Sequence, residues 1–111
     1  MTGVRHFKLT FEDDLLFVWM DYDNQEVNWT AGLDGMYRYS YIYDFGDKSV
    51  PIAAKARWES DNKLTIHAQP LMGSTEDMIT FTFQDDGKAA DVDWQWGQFR
   101  VQFEAWMVDE D

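Results

Sequence analysis

The chain has 111 residues, and its 9 lysines and arginines stand against 21 aspartates and glutamates, for a formal net charge of −12. This acidity argues against nucleic-acid binding, which starts from a positively charged surface, and no apolar run approaches the ~20 residues that cross a bilayer. Because the chain is also 45% hydrophobic and 17% aromatic, it has the residues to build a core. We therefore expect a single folded domain over 1–111 and not an acidic disordered tail.

The N-terminal third predicts β-strands. Residues 7–11 alternate apolar and polar side chains, which is the pattern of a half-buried strand, and the acidic run 12–14 predicts a turn. The continuous apolar run 15–20 predicts a second strand that is covered on both faces, or partly so. Weaker strand patterns follow at 26–30 and 36–43.

The middle of the chain has the clearest alternation. Residues 52–59 and 63–69 each place apolar side chains on one face and polar side chains on the other. The polar residues 60–62 between them favour a tight turn, so the two runs predict a hairpin. Polar loops are predicted at 44–50 and 70–75.

The C-terminal third predicts a three-stranded meander. Strand patterns at 79–84, 90–96 and 98–107 are separated by an Asp-Asp-Gly turn at 85–87 and by Gly97. The glycine of the first turn supplies the left-handed residue that a tight hairpin needs. Short turns of this kind join neighbouring antiparallel strands.

Taken along the chain, these patterns predict an all-β fold. No stretch keeps a helical period, and about eight strands at a spacing of roughly ten residues are typical of an antiparallel barrel or sandwich. Most of the aromatic content is expected to fill the core. The aromatic residues on predicted inward faces are Trp58, Phe81, Phe83, Trp94, Phe99 and Phe103.

The motifs do not predict an enzyme. Residues 60–63 match both Ser-x-x-Lys and Ser-Asp-Asn of penicillin-recognising serine hydrolases, but four consecutive residues cannot be the nucleophilic helix and the segment that faces it. They lie in a predicted hairpin turn, and no Lys-Thr-Gly follows. We therefore expect no catalytic residue in this chain.

No metal or cofactor site is predicted either. The chain has no cysteine, and His6 and His67 belong to no spaced set of ligands. The oxygen-rich segment 21–26 lacks the spacing and glycine of a calcium-binding EF-hand loop, and we interpret it as a solvated turn.

Four tyrosines alternate along one strand pattern, at Tyr37, Tyr39, Tyr41 and Tyr43. Two interpretations stay open. The rings could pack against neighbouring strands, or they could line a groove whose ring faces and hydroxyls bind an apolar or sugar ligand. For the second interpretation, the candidate ligand-binding residues are Trp19, Tyr37, Arg38 and Tyr39.

An ordered series of short motifs runs through the middle of the chain. Its members are Gly35-Met36-Tyr37-Arg38-Tyr39-Ser40, Phe45-Gly46-Asp47-Lys48, Ala56-Arg57-Trp58-Glu59-Ser60-Asp61-Asn62-Lys63-Leu64-Thr65-Ile66, Thr80-Phe81-Thr82-Phe83 and Asp86-Gly87. The series resembles the C-terminal β-domain of many bacterial β-lactamase-related serine hydrolases of the penicillin-binding-protein-like class. The similarity covers roughly residues 35–94.

This resemblance implies a small lipocalin-like barrel or half-barrel without catalytic residues of its own. In such proteins the catalytic serine, lysine and tyrosine belong to the preceding hydrolase domain. The chain would then be a fragment or relative of an accessory domain that packs on its hydrolase, shapes the substrate entrance or aids self-association. An exposed apolar patch is expected where the partner docks.

The alternative is a free-standing binder of a small apolar or carbohydrate ligand, held in an aromatic-lined groove. Neither hypothesis involves a nucleic acid, a membrane span or a cofactor. The sequence leaves the ligand, the oligomeric state and the cellular compartment open.

Overall fold

Every regular element that the structure describes is a β-strand. The structure is a computed structural model, and it describes residues 4–22, 25–44, 48–70, 76–85 and 87–107. The strands are β1 (Val4–Glu12), β2 (Leu15–Tyr22), β3 (Gln25–Gly32), β4 (Arg38–Asp44), β5 (Lys48–Ser60), β6 (Lys63–Pro70), β7 (Asp77–Phe83), β8 (Ala89–Trp96) and β9 (Phe99–Met107). No helix in these ranges is long and apolar enough to cross a membrane.

The strands form one sheet that closes into a barrel. Its order is β3-β2-β1-β9-β8-β7-β6-β5-β4, and every pair of chain neighbours in that order is antiparallel. Two parallel seams complete the closed eight-stranded ring. At one seam β1 meets β9 through two residue pairs, and at the other β3 meets β5 through the single pair Gly32 and Lys55.

The parallel seams follow from strand parity. In a meander of nine strands, odd-numbered strands all run in one direction, so β1 and β9 must meet in parallel. The strand β4 pairs only with the first half of β5, and its place in the ring is taken by the contact of β3 with β5. The predicted all-β barrel is therefore confirmed, with a ninth strand and a mixed closure in place of a purely antiparallel meander.

Most predicted turns lie where the sequence placed them. Asp61 and Asn62 form the β5–β6 turn, and Gly87 between β7 and β8 has a φ of 71°. The predicted loop over 44–50 is wrong at its ends, because β4 continues to Asp44 and β5 already begins at Lys48. The rest of that loop, and most of the predicted loop at 70–75, lie outside the described residues.

The barrel interior is filled by side chains from one face of each of the eight strands in the ring. Its centre is an edge-to-face contact of Phe7 with Phe81, whose ring centroids are 4.8 Å apart at 89°. Both rings are fully buried. The other buried core residues are Leu16, Val18, Met20, Trp29, Ala31, Ile52, Ala54, Ala56, Leu64, Ile66, Ala68, Ile79, Ala90, Val92 and Ala105.

Two of the aromatic residues predicted to be buried are instead exposed at the barrel ends. Trp58 is 46% exposed and stacks on Phe11 at 5.7 Å, beside the β1–β2 turn. Phe99 is 63% exposed and stacks on Trp96 at the opposite end. The alternation gave the correct face for Trp58 and Phe99, but it carries no information on distance from the barrel mouth.

A half-buried carboxylate near the β8–β9 end predicts a pH effect. Asp77 accepts a hydrogen bond from Trp94 Nε1 at 3.2 Å. Burial raises the pKa of Asp77 above its ordinary value of 3.8, the Trp94 hydrogen bond partly opposes this, and Glu76 adds to it. The folded protein therefore holds this proton more tightly than the unfolded chain, so the contribution of Asp77 to stability falls as pH rises above 3.8.

Replacing Asp77 by asparagine is therefore expected to raise the melting temperature at pH 7. Asparagine keeps an acceptor for Trp94 and removes the buried charge, so the difference from wild type should shrink as pH falls towards 3.8. Thermal unfolding followed by circular dichroism at several pH values measures this, with the exposed Asp91→Asn as control. A variant that is less stable than wild type at pH 7 would contradict the expectation.

Candidate ligand-binding groove

A depression with aromatic walls lies on the outer face of β1, β2 and β3. It has a volume of 680 Å³ and is open to solvent. We call it the outer groove. Its lining residues are Lys8, Thr10, Phe17, Val18, Trp19, Glu26, Asn28, Trp29, Thr30 and Ser40.

Strand register arranges the outward side chains of the groove in rows. The cross-strand rows are Lys8–Trp19–Asn28 and Thr10–Phe17–Thr30. The central strand β2 thus contributes two neighbouring aromatic rings, because its alternate residues point to the same face. In these rows the outward residues of the flanking strands are polar, whereas Trp29 of β3 is buried, so an aromatic strip runs between two polar borders.

The indole of Trp19 is held in place by a carboxylate. Its Nε1 donates a hydrogen bond to Glu26 Oε1 at 2.7 Å, across two antiparallel strands. Among the side chains that the structure describes, Glu26 has no cationic partner within ion-pair distance. A charge-assisted bond of this length restrains the ring plane, and Glu26 itself is exposed.

The groove ends at the seam where β3 and β4 separate. The Thr30 N–H donates to Ser40 Oγ at 3.3 Å, and no ladder joins β3 to β4 in the described ranges. Since alternate residues of a strand direct their backbone groups to the same side, Glu26 and Asn28 direct their N–H and C=O groups towards this seam as Thr30 does. The groove therefore offers backbone as well as side-chain hydrogen-bonding groups.

Of the four residues predicted to bind a ligand, Trp19 lines the outer groove. Tyr37 lies in the β3–β4 connection, where Lys55 Nζ sits 4.7 Å from the centre of its ring and its hydroxyl donates to Glu76 Oε2 at 3.5 Å. Burial, and then the negative charge of Glu76, raise the pKa of Tyr37. Tyr37 thus packs the connection against the outer face of β5 and does not line the groove.

The other two predicted residues also lie outside the groove lining. Arg38 forms ion pairs with Asp34 at 2.7 Å and with Asp14 at 3.5 Å, which tie the β3–β4 connection to the β1–β2 turn. The hydrogen bond from Arg38 is the main cause that lowers the pKa of Asp34. Tyr39 is 73% exposed, and the side chains of Tyr41 and Tyr43 lie outside the described set. The binding roles of Tyr37, Arg38 and Tyr39 stay predictions.

Sequence reasoning missed the second ring of the strip. The apolar run 15–20 predicted a strand covered on both faces or partly so, whereas Phe17 is exposed on the outer face. The predicted turn at 12–14 contained the missing signal. A tight turn there pairs Thr10 with Phe17 and Lys8 with Trp19, which is the register that the structure has.

The remaining polar clusters are less suited to a ligand. A depression of 490 Å³ on the outer face of β6 to β9 is lined mainly by threonines and carboxylates, and Arg100 already pairs with Asp93 in it. His6 lies near Asp21 and His67 near Glu76, each with a single carboxylate. No group of three or more potential metal ligands occurs in the part of the chain that is described.

The chain matches no family model and no curated protein. Its function is therefore inferred from the outer groove, from the exposed aromatic residues and from the resemblance of residues 35–94 given above.

Proposed function

We propose that the protein is a non-catalytic binding module that holds a small saccharide in the outer groove. The observation that carries the proposal is the strip of Trp19 and Phe17 between two polar borders. Rings at alternate positions of one strand are roughly 7 Å apart. They offer neighbouring flat surfaces to a ligand that is longer than a single ring.

The polar borders favour a saccharide over a wholly apolar ligand. A sugar has an apolar C–H face that packs on an aromatic ring, and hydroxyls at its edge that need hydrogen-bonding partners. Lys8, Asn28 and the two threonines supply such partners on both sides of the strip. A purely apolar ligand would cover these groups without bonding them, which costs free energy.

The charge of the protein also restricts the charge of the saccharide that it can bind. A net charge of −12 repels anions over the distance at which ligands are first attracted, and Glu26 adds a carboxylate within the groove. We therefore propose neutral or cationic saccharides and not acidic ones.

Replacing Trp19 by alanine is the test. We expect at least about a tenfold loss of affinity, corresponding to ~1.4 kcal/mol, because the variant removes the larger of the two rings. A glycan array would identify the ligand, and calorimetry would measure its affinity for wild type and variant.

Tyr39→Ala is the matched control, because Tyr39 is more exposed than any groove aromatic and lies outside the groove. Its affinity should equal that of wild type. Failure of every saccharide to bind, or a loss caused by Tyr39→Ala and not by Trp19→Ala, would refute the proposal.

A second candidate function is the accessory role that the family resemblance implies. It is favoured by the stacked pair of Phe11 and Trp58, both close to half exposed at the β1–β2 end of the barrel. Exposed aromatic pairs are common at protein interfaces, and here the partner would be a β-lactamase-related serine hydrolase domain. A gene for such a domain beside or fused to this reading frame would support this role, and its absence would remove most of the support.

A further inference from the structure

We infer that the saccharide of the outer groove carries a free amine, which is bound as an ammonium between the Trp19 indole and the Glu26 carboxylate. The inference rests on the proposed function and specifies its ligand. It starts from Glu26, the one carboxylate among the described residues that line the groove. Glu26 has no cationic partner among the described side chains.

The position of Glu26 suits a cation over the ring. Its carboxylate accepts the 2.7 Å hydrogen bond from Nε1 at the edge of the indole. Glu26 therefore restrains the orientation of the ring and places a negative charge beside it. A cation above a tryptophan face is attracted by the ring quadrupole, most strongly when a carboxylate is close. A neutral sugar can donate a hydroxyl to this carboxylate, but it leaves the negative charge of Glu26 without a cationic partner.

The other charged groups around Trp19 orient the amine. Lys8 pairs with Trp19 from the opposite strand, β1, so the groove is positive on its β1 side and negative on its β3 side. Asp21 lies opposite Glu26 in the register and adds negative charge there, although His6 Nδ1 is 3.6 Å from it. The amine is therefore expected on the β3 side and the hydroxyls of the same sugar near Lys8.

Three matched ligands test the inference. They are glucosamine oligosaccharides, their N-acetylated counterparts and neutral gluco-oligosaccharides of equal length, each titrated calorimetrically into the full chain. We expect the free amines to bind about fivefold more tightly than the other two. The preference should weaken with added salt, because the carboxylate is exposed.

Glu26→Gln separates the charge from the position of the ring. The glutamine oxygen can still accept from Trp19 Nε1, so the ratio of the affinity for the amine to the affinity for the neutral oligosaccharide should fall to about one. Asp91→Asn removes an equal charge from the distant outer face of β8 and should keep the preference.

The outcomes distinguish the inference from the function beneath it. Equal binding of all three ligands would overturn the proposed ammonium site, but it would leave the proposal that the groove binds saccharides intact. A preference for the amine that survives Glu26→Gln would overturn the proposed ammonium site at Glu26. A preference that falls equally in Asp91→Asn would overturn it too, since the net charge alone would explain the preference. Binding of none of the three, combined with a blank glycan array, would overturn both.

Discussion

Replacing Phe81 by alanine is expected to lower the free energy of unfolding by about 3–5 kcal/mol. Its ring is fully buried at the centre of the barrel and packs edge-to-face on Phe7. It also stacks on Phe83 at 6.0 Å. Alanine would leave a cavity next to Phe7 and Phe83, and these rings cannot move to fill it because each is held in its own strand. Urea unfolding followed by far-ultraviolet circular dichroism should therefore show a much lower midpoint.

Phe99→Ala is the control for this variant. It makes the same chemical change in the same sheet, but the ring is 63% exposed at the barrel end, so we expect a loss below about 1 kcal/mol. If the two variants lost equal stability, the distinction between the barrel centre and its ends would be wrong.

The strands of the ring could be predicted because each one has a buried and an exposed face. In β5, Ile52, Ala54 and Ala56 are buried on the predicted side, and the turn residues Asp61 and Asn62 fix where the returning strand begins. These are local properties. A residue and its neighbours two positions away decide them, so the sequence alone contains the information.

The closure of the barrel could not be predicted in the same way. The seam of β3 with β5 depends on a single residue pair, Gly32 and Lys55, and these residues are far apart in sequence. No periodic pattern distinguishes this contact from an open edge. The alternation also cannot show that β4 leaves the ring, since its residues alternate as those of any other strand do.

The candidate site was predictable in part. Trp19 was a candidate from its residue type. Glu26 began a predicted strand at 26–30, but it was also the end of a segment interpreted as a solvated turn and was not a candidate. The structure places Glu26 in β3, two residues from the rows of the aromatic strip and bonded to Trp19. Such a contact depends on the register of β2 against β3, and the sequence at 23 and 24 has no glycine to predict a tight two-residue hairpin there.

Replacing Gly32 by alanine is expected to disturb both the barrel seam and the groove. A methyl group at this position would overlap the backbone carbonyl oxygen of Met36 and lie 3.2 Å from Asp34 Oδ1. The β3–β4 connection cannot move away freely, because Asp34 accepts from the Met36 N–H and pairs with Arg38. Overpacking against backbone costs about 1–3 kcal/mol.

Gly35→Ala provides the contrast for this variant. Gly35 has a φ of 85° and open space around it, so alanine there costs about 1–2 kcal/mol of backbone conformation without a clash. The two variants should therefore lose comparable stability for different reasons. Stability alone would not distinguish the two variants, so a local measurement is needed where β3 meets β4.

Hydrogen exchange of the Thr30 amide is that measurement. Thr30 lies two residues from Gly32, and its N–H donates from β3 to Ser40 Oγ of β4. Gly32→Ala should expose this N–H by pushing β4 away from β3. Exchange should then accelerate in Gly32→Ala beyond what its lower global stability explains, and remain at the globally expected rate in Gly35→Ala. Because Ser40 is also a wall of the outer groove, saccharide affinity should fall in the first variant alone. Unchanged Thr30 exchange in Gly32→Ala would show that the connection absorbs the methyl group without opening the seam.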